Sequence, residues 1–433
     1  MERGSKERSN RTTGPSPPLP PELLRLIFSH LAADLERHPN STQRAIHTFG
    51  RVCKAWRAIS VERTRTEFVL RETHHATALT RLLAGQRRSD NPLKVLDAKM
   101  LIVLTSCCNP GDGSVLFDLL AVSPSLEHLD IRMASLSILG TDEDPLGVET
   151  RGIMITLASL KEFHIRTDAS ASLQDEHLYK LLQFWRHLRV LDVTAPQRPI
   201  DNPLWRPPSD TTFFSRCLTS LALCLAQENA PSSSLVPIVS TYLGGSHAGR
   251  LKHLHLTGIP HRHLHKDDVE AFISGLSRVG SQLESLTLHS VDGTPNESPA
   301  CLLLDRILPH LTSAHTLNFD LDLFSQKEIS ITLSTFALNS LRYLHVHFDP
   351  RLPWYASDGD MLVKEVAGIL HGVECGKVER GFNRGLAQMV VNLFSAEEEQ
   401  LQERQQWPEE QEQLEAAAAR AGVALSFVRV VPP

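Results

Sequence analysis

The sequence predicts an α/β protein: an all-helical N-terminal segment followed by a solenoid with a parallel sheet on one side and helices on the other. Three observations indicate this class. Two short amphipathic helices are predicted near the N-terminus, a leucine pattern recurs nine times between residues 93 and 346, and a helical stretch follows most of its copies. At 433 residues the chain is long enough for one to three domains.

The composition narrows the class of protein. Hydrophobic residues make up 41% of the chain and charged residues 22%, as in an ordinary soluble protein. The formal net charge of −6 argues against nucleic-acid binding, which normally uses a basic surface. No apolar run reaches about 18 residues, so we expect no membrane span. The 7 cysteines form no Cys-x-x-Cys pair, which favours reduced thiols in the cytoplasm or nucleus.

The N-terminal region has two parts. Residues 1–18 hold charged residues, Ser and Pro but no aromatic residue, so they are predicted to be a disordered tail. In residues 19–60, Pro21 fits the first turn of a helix, and apolar residues fall on one face of each of two helices. This spacing alone fits either a small helical cap on a larger domain or a docking module.

The order of residues in this segment resembles the F-box. It reads Leu-Pro-x-Glu-Leu-Leu-x-x-Ile-Phe-Ser-His-Leu and then Val-Cys-Lys-x-Trp-Arg-x-Ile, separated by a connection longer than usual that contains Pro39. The resemblance implies docking on the Skp-type adaptor of a ubiquitin ligase and, through it, on a cullin scaffold. The adaptor-binding residues that it implies are Leu19, Pro20, Leu23, Leu24, Ile27, Phe28, Leu31, Val52, Cys53 and Trp56. Residues 61–90 are predicted to form a helical linker.

A unit of the form L-x-x-L-x-L repeats through residues 91–362. Each copy ends with the alternation of a strand, and helices are predicted after several of them, for example over Asp267–Val279 and Cys301–Leu308. One strand and one helix per period make a solenoid. A doubly wound α/β domain is the alternative, although it needs no fixed leucine spacing. The copies begin at Leu93, Leu126, Leu160, Leu188, Leu218, Leu251, Leu283, Ala314 and Leu341, which are 27 to 34 residues apart.

These units resemble leucine-rich repeats in a long, irregular form that lacks the family's Asn or Cys beyond the strand. Two proline-rich stretches, Thr194–Thr212 and Phe348–Asp360, interrupt the array. They are either surface excursions or, around Trp205, an arm that contacts a partner. Residues 363–433 are predicted to hold C-terminal helices, one of them from Glu409 through Ala421, and a capping strand.

The sequence offers no catalytic motif and no cofactor-binding motif. Its one local cluster of possible metal ligands is His253, His255, His261, His263 and His265. Alternating histidines on a strand share a face, but no Cys or carboxylate stands at ligand spacing between them. We therefore expect surface histidines and assign no catalytic, cofactor-binding or metal-binding residue.

Positions between the leucines should face outward on the sheet side. They carry mixed polar side chains, which suit a protein or peptide ligand better than a phosphate backbone. The predicted target-binding residues are Asp130, Arg132, His164, Arg166, His253, His255, His289, His345 and His347. Together the two resemblances imply a non-catalytic substrate receptor of a Skp–cullin–F-box ubiquitin ligase, whose repeats bind an unknown target protein. The alternative is a leucine-rich-repeat interaction scaffold acting outside a ubiquitin ligase.

Overall fold

The computed structural model divides the chain into two compact units, Met1–Val69 and Leu70–Pro433. The residues that the structure describes are 20, 23–24, 26–27, 48, 56–57, 67–70, 99–104, 120, 123–133, 157–167, 185–194, 216–224, 235–259, 266–290, 303–320, 340–348, 366–371, 373–374, 386–394 and 407–430. Among them, no helix is long and apolar enough to cross a membrane.

The first unit is helical at several of the positions where the sequence predicts a helix. Leu23, Leu24 and Ile27 are helical, as are Thr48 and Trp56. The amide of Leu24 donates a hydrogen bond to the carbonyl of Pro20 at 3.1 Å, the i to i−4 bond of an α-helix. Most of residues 19–60 lie outside the described part of the chain, so an all-helical domain there stays a prediction.

The first strand, β1 (Glu67–Leu70), lies within residues 61–90, where the sequence predicts a helical linker. The prediction is wrong at these four residues. Phe68 and Val69 are aromatic and β-branched, side chains that favour the extended backbone over a helix. The other residues of the predicted linker lie outside the described part.

Eleven strands of the second unit form a parallel sheet, and each pairs with the next in chain order. A doubly wound sheet would reverse its strand order, so the order excludes that alternative and is compatible with a solenoid. The strands are β2 (Met100–Leu104), β3 (His128–Met133), β4 (Glu162–Thr167), β5 (Val190–Thr194), β6 (Ser220–Cys224), β7 (His253–Ile259), β8 (Ser285–Ser290), β9 (Thr316–Asp320), β10 (Tyr343–Phe348), β11 (Gln388–Phe394) and β12 (Ala424–Val430).

The leucine pattern sets both the start and the buried face of these strands. In several repeats the amide of the first leucine, for example Leu126 or Leu251, donates a hydrogen bond to the carbonyl three residues earlier, which closes a turn just before the strand. The second and third apolar positions, such as Leu254 and Leu256, are almost fully buried. Each such side chain contributes about 1.5–3 kcal/mol by leaving water. The inward assignment is thus confirmed for the leucine-type positions of β3 to β10.

Four helices of the second unit are α1 (Leu235–Gly244), α2 (Lys266–Val279), α3 (Leu303–Ile307) and α4 (Trp407–Ala421), with short 3-10 turns at Ser246–Arg250 and Leu308–His310. Residues 366–371, 373 and 374 are helical as well. α2 begins one residue before the predicted Asp267–Val279 and ends at the same residue, and α3 lies inside the predicted Cys301–Leu308. α1 packs closely on α2, because a β-carbon at Gly275 would lie 2.7 Å from that of Leu243. α4 confirms the predicted final helix.

The first repeat is displaced from its predicted place. Leu101 pairs with Leu129, and Val103 with Ile131, so the unit begins at Ala98 and not at Leu93. A repeat that begins at Leu93 and one that begins at Ala98 both fit the leucine spacing of the sequence, and only the strand pairing distinguishes them. As a result β2 carries apolar residues at its outward positions, among them the buried Ile102.

A second described strand, β11, was not predicted either. β11 carries the pattern Leu386-x-x-Met389-x-Val391, all three of them buried, and it pairs with β10 and β12. It begins far beyond the preceding repeat, outside the usual step, which is why the period does not reveal it. The sheet therefore continues into residues 363–433, where helices and one capping strand were predicted, and β12 is the capping strand.

Candidate functional site: the polar face of the sheet

We define the polar face as the side of β3 to β10 whose side chains alternate with the buried leucines. Because the strands pair in register, these side chains line up in rows across the sheet. One row runs Asp130, His164, Asp192, Ala222, His255, Thr287, Asn318 and His345, each the direct partner of the next. Neighbouring strands lie about 4.8 Å apart, so adjacent members of a row can contact each other.

The row begins with paired charges on β3, β4 and β5. Arg132 donates two hydrogen bonds to one oxygen of Asp130, from Nε at 3.0 Å and from Nη2 at 2.7 Å. Nδ1 of His164 and Nη2 of Arg166 both approach Oδ2 of Asp192, at 3.2 and 3.3 Å. Most charges at this end are therefore already paired, and Arg166 is the most exposed of the predicted contacts on these strands.

The prediction that Asp130 contacts the target needs a correction. It lies on the predicted face, yet it is only 2% exposed. The guanidinium of Arg132 balances its charge, which is what a buried carboxylate requires. Asp130 consequently positions Arg132 and offers little surface of its own to a partner.

His128 and Glu162 form a further pair that was not among the predicted binding residues. Nδ1 of His128 lies 2.8 Å from Oε2 of Glu162, and the ring of His128 contacts that of His164 at a centroid distance of 5.1 Å. The hydrogen bond with His128 lowers the pKa of the Glu162 carboxyl below its usual 4.5. Both residues occupy outward positions of the repeat, so the pattern already contained the signal for them.

Three histidines and a carboxylate meet on β7 to β10. Nδ1 of His289 lies 2.8 Å from Oδ1 of Asp320, and its ring contacts those of His347 and His255 at centroid distances of 4.2 and 6.2 Å. The predicted neighbourhood of His255, His289 and His347 is thus confirmed. His253 lies on the same face at the start of β7, and His345 lies on β10.

Removal from water sets the charge of these histidines. Burial, together with the nearby His289, lowers the pKa of His347 to about 4. Desolvation by neighbouring side chains is also the main cause that lowers the pKa values of His255 and His345 below 6.5, although part of the His255 side chain stays exposed. These three imidazoles are therefore neutral at pH 7, and acidification charges them later than it charges a free histidine.

Two groups of residues on this face bring possible metal ligands together. Within the described ranges they are His128 with Glu162 and His164, and His289 with Asp320 and His347. In each group the ligand atoms lie within 4.8 Å of one another. Sequence reasoning looked for ligands within one strand and its loop, whereas the structure assembles them from neighbouring repeats.

The predicted adaptor-binding residues are only partly described. Leu23 and Ile27 are 46% and 36% exposed, large values for apolar side chains, whereas Leu24 is 1% exposed. Pro20 is exposed and Trp56 is half-buried. The remaining predicted adaptor contacts lie outside the described part of the chain: Leu19, Phe28, Leu31, Val52 and Cys53. Trp205 lies outside it too.

No protein-family model matches the chain, and no curated protein matches it.

Proposed function

We propose that this protein is a non-catalytic substrate receptor of a Skp–cullin–F-box type ubiquitin ligase. In this proposal, residues 19–60 dock on the Skp-type adaptor, and leucine-rich repeats hold the target protein. The contribution of such a receptor is proximity, because it raises the effective concentration of the target's lysines near the transfer enzyme.

The observation that carries the proposal is the row of side chains that crosses eight strands and is polar at every strand except β6, where Ala222 stands. The row presents carboxylates, imidazoles, one hydroxyl and one amide, and Arg132 and Arg166 lie beside it on the same face. It lacks the excess of Lys and Arg that a phosphate backbone would call for. A wide face of this composition supports recognition of an extended protein surface.

The adaptor half of the proposal is supported by the F-box-like residue order and by exposed apolar side chains. Leu23 and Ile27 lie one helical turn apart on a helix, and neither is covered. Exposed leucine and isoleucine on one helix face are typical of a docking surface. Leu24 lies on the same helix, and its buried side chain stabilises that helix.

Copurification with a Skp-type adaptor tests the proposal. The full chain should retain the adaptor, and a chain lacking residues 1–60 should not. Leu23→Asp should abolish retention without unfolding the protein, since the side chain is exposed, and Arg57→Ala, at another exposed helical position, is the matched control. Retention that survives the deletion would contradict the ligase function and favour the scaffold alternative.

A further inference from the structure

We propose that His289, Asp320 and His347 bind a divalent transition-metal ion of the zinc class on the polar face. The three residues lie on consecutive strands, β8, β9 and β10, and their ligand atoms lie within 4.8 Å of one another. Two imidazole nitrogens and one carboxylate oxygen are donors that Zn²⁺ prefers, and three protein ligands leave the fourth position open for water or a donor from a bound molecule. This inference does not depend on the proposed ligase function.

The carboxylate of the site is held in place before any ion binds. Oδ2 of Asp320 accepts hydrogen bonds from the backbone amide of Ser290 at 2.6 Å and from its hydroxyl at 3.2 Å. Oδ1 therefore points toward His289. Such outer partners orient the ligands of metal sites and raise their affinity.

The two histidines flank this carboxylate. His347 is the direct strand partner of Asp320, and its ring packs edge-on against that of His289. Without metal, His289 and Asp320 share one hydrogen bond. On binding, that bond is exchanged for coordinate bonds of about 2.0–2.2 Å, and the proton that His289 shares with Asp320 is then carried by the ring nitrogen that does not bind the ion.

The local backbone and charges also favour this place. The pairing of β7 with β8 is irregular between Leu256 and Ile259, where Gly258 has a φ of 71°, so a β-bulge lies beside His289. Bulges are frequent next to functional sites, because they redirect side chains. β8, β9 and β10 contain no Lys or Arg that would repel a cation.

The group at His128, Glu162 and His164 fits a cation less well. Nδ1 of His164 faces Asp192, which is also approached by the guanidinium of Arg166, so a fixed positive charge lies beside that group. His128 is buried, which leaves little room for an ion and its fourth ligand. We therefore assign the ion to His289, Asp320 and His347.

Equilibrium dialysis of the chelator-stripped, untagged full chain against Zn²⁺ tests the assignment. Wild type should bind one equivalent at the site. His347→Ala and Asp320→Asn should each weaken that binding by about tenfold or more, whereas His253→Ala, on the same face but outside the site, should leave it unchanged. Binding that all these variants retain, or that His164→Ala weakens as much as His347→Ala does, would overturn the assignment.

A second measurement avoids any variant that fails to fold. Histidines of the wild-type chain are modified with diethyl pyrocarbonate with and without Zn²⁺, and the products are mapped by mass spectrometry. Zinc should protect His289 and His347 and leave the exposed His253 equally reactive. Equal modification of His289 and His347 in both conditions would refute the site.

Discussion

Replacing Leu254 by alanine should lower the free energy of unfolding by about 3–5 kcal/mol, whereas replacing the adjacent His255 should change it by less than about 0.5 kcal/mol. The two residues are neighbours on β7 and face opposite sides of the sheet. Leu254 is 1% exposed, and His255 is exposed. The comparison therefore tests the inward and outward assignment at one point of the chain.

The magnitude for Leu254 follows from its surroundings. It stands between its strand partners Leu221 and Leu286, both of them buried. Leu→Ala removes three carbon atoms, which is about 2.4 kcal/mol of lost transfer free energy at 0.8 kcal/mol each. The paired strands on both sides resist collapse into the space, so a further cavity cost of about 1–2 kcal/mol is expected.

Urea unfolding, followed by circular dichroism and by native-state hydrogen exchange, measures both variants. Hydrogen exchange is needed because repeat arrays often open locally, and the loss should be largest at β6, β7 and β8. Equal destabilisation by the two substitutions, or a change below about 1 kcal/mol for Leu254→Ala, would refute the assignment of the faces.

Three further predictions concern packing and charge. Gly275→Ala should destabilise the fold by about 1–3 kcal/mol, because the new β-carbon would lie 2.7 Å from a side chain on α1. Gly244→Ala is the control, because its β-carbon would meet nothing within 4 Å and should leave stability unchanged. Thermal melts compare the two variants. The carboxyl of Glu162 has a pKa below 4.5 in the folded chain, so its ionised form stabilises the fold above pH 4.5, and this stability is lost as the pH falls through the lowered pKa. His128→Ala should raise this pKa toward 4.5 in an NMR titration. An unchanged titration midpoint would contradict the hydrogen bond with His128 as the cause of the lowered pKa. Asp130→Ala should cost roughly 2–3 kcal/mol in denaturant unfolding despite lying on the polar face, since it removes the carboxylate that accepts two hydrogen bonds from the part-buried guanidinium of Arg132. A neutral result would show that this ion pair does not stabilise the fold.

The sequence predicted the parallel α/β repeat because the leucine spacing reports directly on burial. At Leu254 and Leu256 the alternation of the strand and the observed burial coincide. The frame of the first repeat was wrong because the Leu93 and Ala98 frames both satisfy the spacing, and only hydrogen bonding to β3 distinguishes them. β11 was missed because a long insertion precedes it and breaks the period.

The candidate site was predictable as a face but not as a set of contacts. Outward positions follow from alternation alone, so the neighbourhood of His255 and His289 could be predicted. The partner of each side chain depends on the register between strands about thirty residues apart, which spacing does not specify. The spacing therefore did not predict that the Asp320 carboxylate lies beside His289, or that Asp130 is buried under Arg132.

The central claim, that the polar face recognises the target, is tested most directly by comparing proteins captured by two versions of the full chain. One carries Arg166→Ala, His253→Ala and His345→Ala together on the polar face, and the other carries Glu270→Ala on the exposed side of α2. Quantitative mass spectrometry of the captured proteins should show the polar-face variant losing its specific partner by about tenfold or more, while the α2 variant retains it. Full retention by the polar-face variant, with loss in the α2 variant, would contradict the account.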